Sequence, residues 1–188
     1  MKKLKKGEFW NIANTITVLR ILLVPLVMAL LIWESPTGCA FAMVLFVIAA
    51  LSDLLDGYLA RKLGLESIIG AFLDPLADKI LVIGVMILLI PLDRLPAWMV
   101  ALFVIRDITI TALRGIAASE GMIIAASRWG KYKTTYENVA LAFLIYHYPL
   151  LGFQIHEIGL MLLYVGLVLA LGSGIHYLVQ FFRSAIEA

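Results

Sequence analysis

The sequence predicts an all-α, polytopic membrane protein with six transmembrane helices around a polar cavity in the cytoplasmic half. Three observations predict it. Of 188 residues, 63% are hydrophobic and 15% charged, against roughly half and about a quarter in soluble domains. The apolar residues gather into six long segments, roughly 16–33, 39–62, 69–91, 95–115, 132–151 and 157–182. The charges inside those segments cluster at one end of each.

The segments justify themselves in order. The first carries a single charge, Arg20, and ends at Ser35-Pro36-Thr37-Gly38. The second is clean from Cys39 to Leu51 and then meets Asp53 and Asp56; the Gly64–Ser67 stretch closes it. The third opens on Asp74 and Asp78 and is clean from Ile80 to Leu92, with breakers from Pro91 to Pro96. The fourth is clean from Leu95 to Ile105, and Arg106, Asp107 and Arg114 follow. Polar stretches at Ser119–Gly130 and Tyr148–Glu157 bound the fifth, and the sixth runs on towards the carboxyl terminus. Counting its polar end, each segment approaches the roughly 20 residues that a spanning helix needs. No repeat or low-complexity tract interrupts them, and residues 1–188 read as one domain.

Composition also excludes. A net charge of +2 without a basic stripe does not suit nucleic acid. Cys39, the lone cysteine, allows no internal disulfide. The first twenty residues show no short apolar core followed by a small-residue cleavage site, so no removable signal is read there.

Lysine and arginine set the orientation. With the amino terminus cytoplasmic, the inside segments hold Lys2, Lys3, Lys5, Lys6, Arg61, Lys62, Arg128, Lys131, Lys133 and Arg183, and the outside loops hold Arg94. That asymmetry is the positive-inside pattern, and it puts both termini in the cytoplasm. Because helices alternate in direction, the polar ends of segments two to five then share the cytoplasmic half, with Arg20. The outer half is sealed; the inner half is charged.

Helical spacing sharpens the cavity. Asp53, Asp56, Gly57, Ala60 and Arg61 follow the 0, 3, 4, 7, 8 rule of a single face, and Gly70, Asp74 and Asp78 lie four apart on another. Glycine and alanine among the acids leave backbone bare to a ligand, though small residues also serve helix packing in membranes. Four carboxylates in a low-dielectric cavity need compensation. Protonation would serve a proton relay, and pairing with Arg61 and Lys79 would neutralise only two. Two divalent cations would cancel all four charges, and oxygen-only ligands favour Mg²⁺ or Mn²⁺ over zinc. His147, His156 and His176 fall outside the polar half or near chain ends, and read as interfacial or structural.

The pattern Asp53-x2-Asp56-Gly57-x2-Ala60-Arg61-x8-Gly70-x3-Asp74-x3-Asp78 resembles the complete signature of the CDP-alcohol phosphatidyltransferases, with eight fixed positions over 26 residues. The six-segment layout agrees over nearly the whole chain. The resemblance implies transfer of a phosphatidyl group from CDP-diacylglycerol to an alcohol with release of CMP. It implies a binuclear metal site of Asp53, Asp56, Asp74 and Asp78, with Asp78 as general base. Gly57, Ala60 and Arg61, with Gly70, Asn14 and Thr17, then belong to the nucleotide-lipid site. It also implies a homodimer in a bacterial cytoplasmic membrane. The chemistry suits the residues: a two-metal site can stabilise charge on a leaving phosphate oxygen, and a nearby carboxylate can take a hydroxyl proton. No Walker-type phosphate loop occurs.

Cations around the acids point to an anionic acceptor. Arg106 and Arg114, eight apart, lie within about 80° of each other around a helix. Gly130-Lys131-Tyr132-Lys133-Thr134 opens the fifth segment, and arginine forks and lysine point charges both suit phosphate. If that segment is helical at 131, Lys131 and Lys133 point to different faces and one of them reaches the substrate. The stretches Asn14-x2-Thr17-x2-Arg20, Arg106-Asp107-x6-Arg114 and Gly130-Lys131-x-Lys133-Thr134 are most similar to the family's bacterial branch that makes phosphatidylglycerophosphate. That likeness implies sn-glycerol 3-phosphate as acceptor, held by Arg20, Arg106, Arg114, Lys131 and Lys133. The branch often carries glutamate where Asp107 stands and glutamine where Glu137 stands, and inositol-phosphate transfer is the runner-up. A divalent-cation or proton-coupled transporter is the reading from another class, since intramembrane acids mark ion pathways. It calls for polar residues in the outer half, where the sequence has almost none.

Overall fold

The computed structural model describes residues 12–63, 68–120 and 128–187. Within those ranges the side chains of residues 12, 13, 53–72, 74, 75, 128, 129, 131, 185 and 187 are outside the description. The described chain is all-helical, without a strand: α1 (Ile12–Ile32), α2 (Pro36–Leu63), α3 (Ile68–Leu89), α4 (Ala97–Ser119), α5 (Arg128–Tyr146) and α6 (Ile155–Glu187).

Local chemistry sets the boundaries. Ser35 caps α2 by accepting the Gly38 N–H at 3.0 Å, and Pro36 follows where a missing N–H costs nothing. A Cβ on Gly38 would lie 2.8 Å from the Ser35 hydroxyl, so the cap requires the glycine. Pro96 sits in extended backbone immediately before α4. α5 starts at Arg128, four residues ahead of the apolar segment, because its polar first turn keeps helical backbone through Gly130. It stops at Tyr146, where His147 takes a φ of 47°. Residues 150–153 then close a tight turn, with Leu151 and Gly152 at positive φ and paired hydrogen bonds between Leu150 and Phe153.

Helix α1 packs on α2 and α3, α5 on α6 and α2, and α4 on α6. The core joins Phe46 of α2, Leu81 and Met86 of α3, Met99 and Phe103 of α4, Leu141 and Leu144 of α5 and Leu163 of α6. Large apolar side chains also cover the outside, including Phe41 and Ile48 on α2, Ile105 and Ile108 on α4, and Met161, Val168 and Ile175 on α6. An apolar exterior over so many helices belongs against lipid, not water.

By length and composition, two described stretches could each cross a membrane, Asn14–Ile32 and Ile155–Ser184; a shorter apolar stretch covers Pro36–Ser52. Arg94 does not behave as a lone charge of an outer loop. It is 4% exposed, donates from Nη1 to the Ile145 carbonyl at 2.8 Å and lies 3.6 Å from Cys39 Sγ. One guanidinium thus ties the α3–α4 connection to the start of α2 and the end of α5.

Candidate active site

A cavity of about 950 Å³ opens among α2, α3, α4, α5 and α6. Apolar residues of α2, among them Phe46, Ala50 and Leu51, form one wall. The polar wall comes from four helices: Asp78 and Lys79 on α3, Arg106, Asp107, Thr111 and Arg114 on α4, Lys133 and Asn138 on α5, and Ser173 and Tyr177 on α6.

Helical periodicity explains the α4 contribution. Arg106, Ile110 and Arg114 are four apart, as are Asp107 and Thr111, so these five neighbours face one side. The Thr111 hydroxyl donates to the Asp107 carbonyl at 2.7 Å, a bond within the helix that fixes its rotamer. The Lys79 ammonium of α3 donates to the same hydroxyl oxygen.

Arg106 locks α4 to α6. Its Nε donates to the Ala170 carbonyl at 3.1 Å and its Nη2 to Ser173 Oγ at 2.9 Å. The approach needs Gly174, where an added Cβ would stand 3.3 Å from the Arg106 Cγ. Arg106 Nη1 also meets Asp107 Oδ1 at 2.8 Å. Asp107 Oδ2 lies 3.1 Å from Lys133 Nζ, and Lys133 Nζ lies 2.6 Å from Glu137 Oε2, one turn along α5. Lys133 and Glu137 are buried, at 5% and 2% exposure. Basic and acidic side chains therefore alternate from Arg106 to Glu137.

The other two cations stand differently. The Arg114 guanidinium lies over the Tyr177 ring, 5.7 Å from its centre, and is exposed. Lys79 is half-buried beside Thr111. Neither makes an ion pair among the described residues.

The cavity therefore brings together Asp78, Arg106, Arg114 and Lys133 from the residues that sequence singled out. Asn14, Thr17 and Arg20 are buried on α1, at 3%, 0% and 1% exposure, and do not line it. The side chains of Asp53, Asp56, Gly57, Ala60, Arg61, Gly70, Asp74 and Lys131 lie outside the described residues. Helical backbone at 131 nonetheless places Lys131 and Lys133 about 200° apart, and Lys133 is on the cavity side. His147 and His156 flank the α5–α6 connection, and exposed His176 meets Gln180, so none lines the cavity. Sequence reasoning missed Thr111, Ser173, Tyr177 and Asn138 as cavity residues. Ser173 and Tyr177 lie in an apolar segment far along the chain from Arg106 and Arg114, with no motif to mark them. Lys79 has a signal, its place beside Asp78, but the sequence offers it only as one possible salt-bridge partner for the acids.

Comparison with known proteins supports the same chemistry. The family model for CDP-alcohol phosphatidyltransferase matches residues 10–172. The chain is 38% identical over 166 residues to a CDP-diacylglycerol–glycerol-3-phosphate 3-phosphatidyltransferase of Bacillus subtilis, covering 80% of this chain and 86% of the relative. Proteins of the same name from Haemophilus influenzae and Shigella flexneri are 34% and 38% identical, covering 90% of this chain and 92% and 93% of theirs. With Asp78 in a cation-lined cavity and a match spanning most of its length, the chain belongs to the CDP-alcohol phosphatidyltransferase family.

Proposed function

We propose that the protein transfers a phosphatidyl group from CDP-diacylglycerol to sn-glycerol 3-phosphate, giving phosphatidylglycerophosphate and CMP. The observation that carries this reading is a cavity in which the Asp78 carboxylate shares the walls with Lys79, Arg106, Asp107, Arg114 and Lys133. The names of three relatives that align over most of the chain agree with it.

The donor set suits hard divalent cations. Asp78 offers oxygen to the cavity, no histidine lines it, and Asp74 precedes Asp78 by one turn of the same helix. Asp53, Asp56, Asp74 and Asp78 would hold two Mg²⁺ or Mn²⁺ ions. Such ions, when bound, stabilise negative charge on the phosphate oxygen that leaves with CMP. The remaining work falls to the chain. Asp78 takes the proton from the attacking hydroxyl of glycerol 3-phosphate as that oxygen bonds to the phosphatidyl phosphorus. The bond from that phosphorus to the CMP oxygen breaks, and the electron pair leaves with CMP. Gly57, Ala60, Arg61 and Gly70, with Asn14 and Thr17, hold the nucleotide lipid. The cationic wall draws the anionic acceptor in and orients it.

Six spans in a bacterial cytoplasmic membrane, with both termini inside, complete the reading, and residues 1–188 act as one domain within a homodimer. Apolar exteriors on α2 and α4 support spanning beyond α1 and α6, the two helices long and apolar enough to cross by themselves. Charged residues at the cavity account for the lower apolarity of α4 and α5.

Release of CMP from CDP-diacylglycerol by purified protein tests the function. The rate should require both Mg²⁺ or Mn²⁺ and glycerol 3-phosphate, and inositol phosphate in its place should give little. Equal rates with every alcohol, or CMP release undiminished by chelator, would count against it.

A further inference from the structure

The connection between α5 and α6 is built unlike an aqueous loop. From Tyr148 to Phe153 it carries no charged side chain. Its tip is apolar: Leu151 is 90% exposed, and Leu150 and Phe153 beside it are exposed too. Leu151 takes a φ of 54° ahead of Gly152 at 85°. Asparagine or aspartate before glycine suits two such central residues, whereas leucine there is strained. Water gives no reason to hold a bare leucine in that conformation.

The backbone of the turn is prepared for a drier place. The Leu150 N–H donates to the Phe153 carbonyl at 3.0 Å, and the Phe153 N–H donates to the Leu150 carbonyl at 2.9 Å. Pairing these groups removes most of what they would cost on leaving water.

Neighbouring residues set the level of the turn. The Tyr148 hydroxyl donates to the Glu34 carbonyl at 2.7 Å, which braces the turn against the α1–α2 connection. There Trp33 is 79% exposed and follows exposed Ile32, at the end of the apolar stretch of α1. Tryptophan and tyrosine gather where a bilayer meets water. The lipid-facing end of α1 thus adjoins the turn through the Tyr148–Glu34 bond.

We infer that the Leu150–Phe153 turn is a membrane anchor, with the side chains of Leu150, Leu151 and Phe153 dipping into the outer leaflet and the paired backbone at headgroup level. Its partner is the lipid surface, with no demand for a charged headgroup, because the turn presents no charge. The inference rests on the proposed six-span reading and deepens it: the α5–α6 connection belongs to the membrane boundary rather than to the outside solution. The anchor also fixes the depth of α5 and α6, which carry Lys133, Ser173 and Tyr177 of the cavity wall.

Fluorescence quenching in lipid nanodiscs, where both faces meet buffer, tests it. Leu151→Cys and Phe153→Cys each carry an environment-sensitive thiol dye. Cys39 is fully buried, so wild type treated with the dye serves as the blank. Lipids bearing a nitroxide about 5–10 Å below the headgroups should quench both dyes strongly, and aqueous iodide should quench them several-fold less. Leu151→Asn, which suits the positive φ, should preserve the turn and shift a dye at position 153 towards iodide. Stronger quenching by iodide than by nitroxide lipid would make the turn an aqueous loop and overturn the inference. Protection from both quenchers would mean that a second copy covers the turn, which overturns it as well. A wild-type chain that fails to enter nanodiscs at all would instead defeat the membrane reading itself.

Discussion

Lys133 stands between two carboxylates, and replacing it by methionine isolates the electrostatic design of the wall. In the structure its ammonium is 2.6 Å from Glu137 and 3.1 Å from Asp107. Asp107 keeps Arg106 at 2.8 Å when the lysine goes, so its loss is partial. Glu137 keeps no ion pair among the described residues. It is 2% exposed, and its second oxygen, Oε1, has no hydrogen-bond partner among the described residues. Breaking a buried pair from one side costs about 3–5 kcal/mol, because the other charge stays uncompensated. At roughly 2–4 °C per kcal/mol for a chain of this size, the unfolding midpoint should fall by about 6–20 °C. Lys133→Met combined with Glu137→Met removes both charges and fills the space with apolar groups, which is often neutral for a buried pair. The double variant should therefore lie within about 1 kcal/mol of wild type. Thermal unfolding of wild type, Lys133→Met, Glu137→Met and the double variant in one detergent, followed by circular dichroism, measures this cycle. A double variant as unstable as the single one would refute the claim that Glu137 is the charge left stranded.

Asp78→Asn should lower turnover by at least about 10²-fold, the lower end for loss of a general base, while CDP-diacylglycerol binding measured without acceptor largely persists; near-wild-type turnover would remove Asp78 from its role. Arg94→Ala should destabilise the fold by about 1–3 kcal/mol through the stranded Ile145 carbonyl. An unchanged unfolding midpoint would mean that the guanidinium clamp contributes nothing. Gly159→Val should cost a similar amount, about 1–3 kcal/mol by overpacking, since an added Cβ stands 3.0 Å from Leu144 Cγ and 3.1 Å from Phe143 Cβ at the α5–α6 contact. Wild-type stability there would show that the two helices separate freely.

The sequence by itself determined the class of protein, and its resemblance to a family signature carried the reaction chemistry. Apolar segments of near-spanning length require helices, because backbone polar groups in lipid must be satisfied within the segment. Acids and cations displaced to the ends of those segments require a shared polar space, since isolated charges in an apolar surround are too costly. The spacing of Asp53, Asp56, Asp74 and Asp78 is legible for the same reason: residues three and four apart share a helical face whatever the tertiary fold. What each cation does there was decided only by tertiary structure. Arg106 and Arg114 look equivalent along α4, two turns apart and both basic. Neighbouring Asp107 and contacts with Ala170 and Ser173 of α6 make Arg106 a structural tie, and Arg114 lies open over Tyr177. Arg94 likewise reads as a loop charge until Ile145 and Cys39, far away in the chain, close around it. Helical periodicity reports which residues share a side of one helix, but the charge a residue presents to a cavity depends on which partners the neighbouring helices bring.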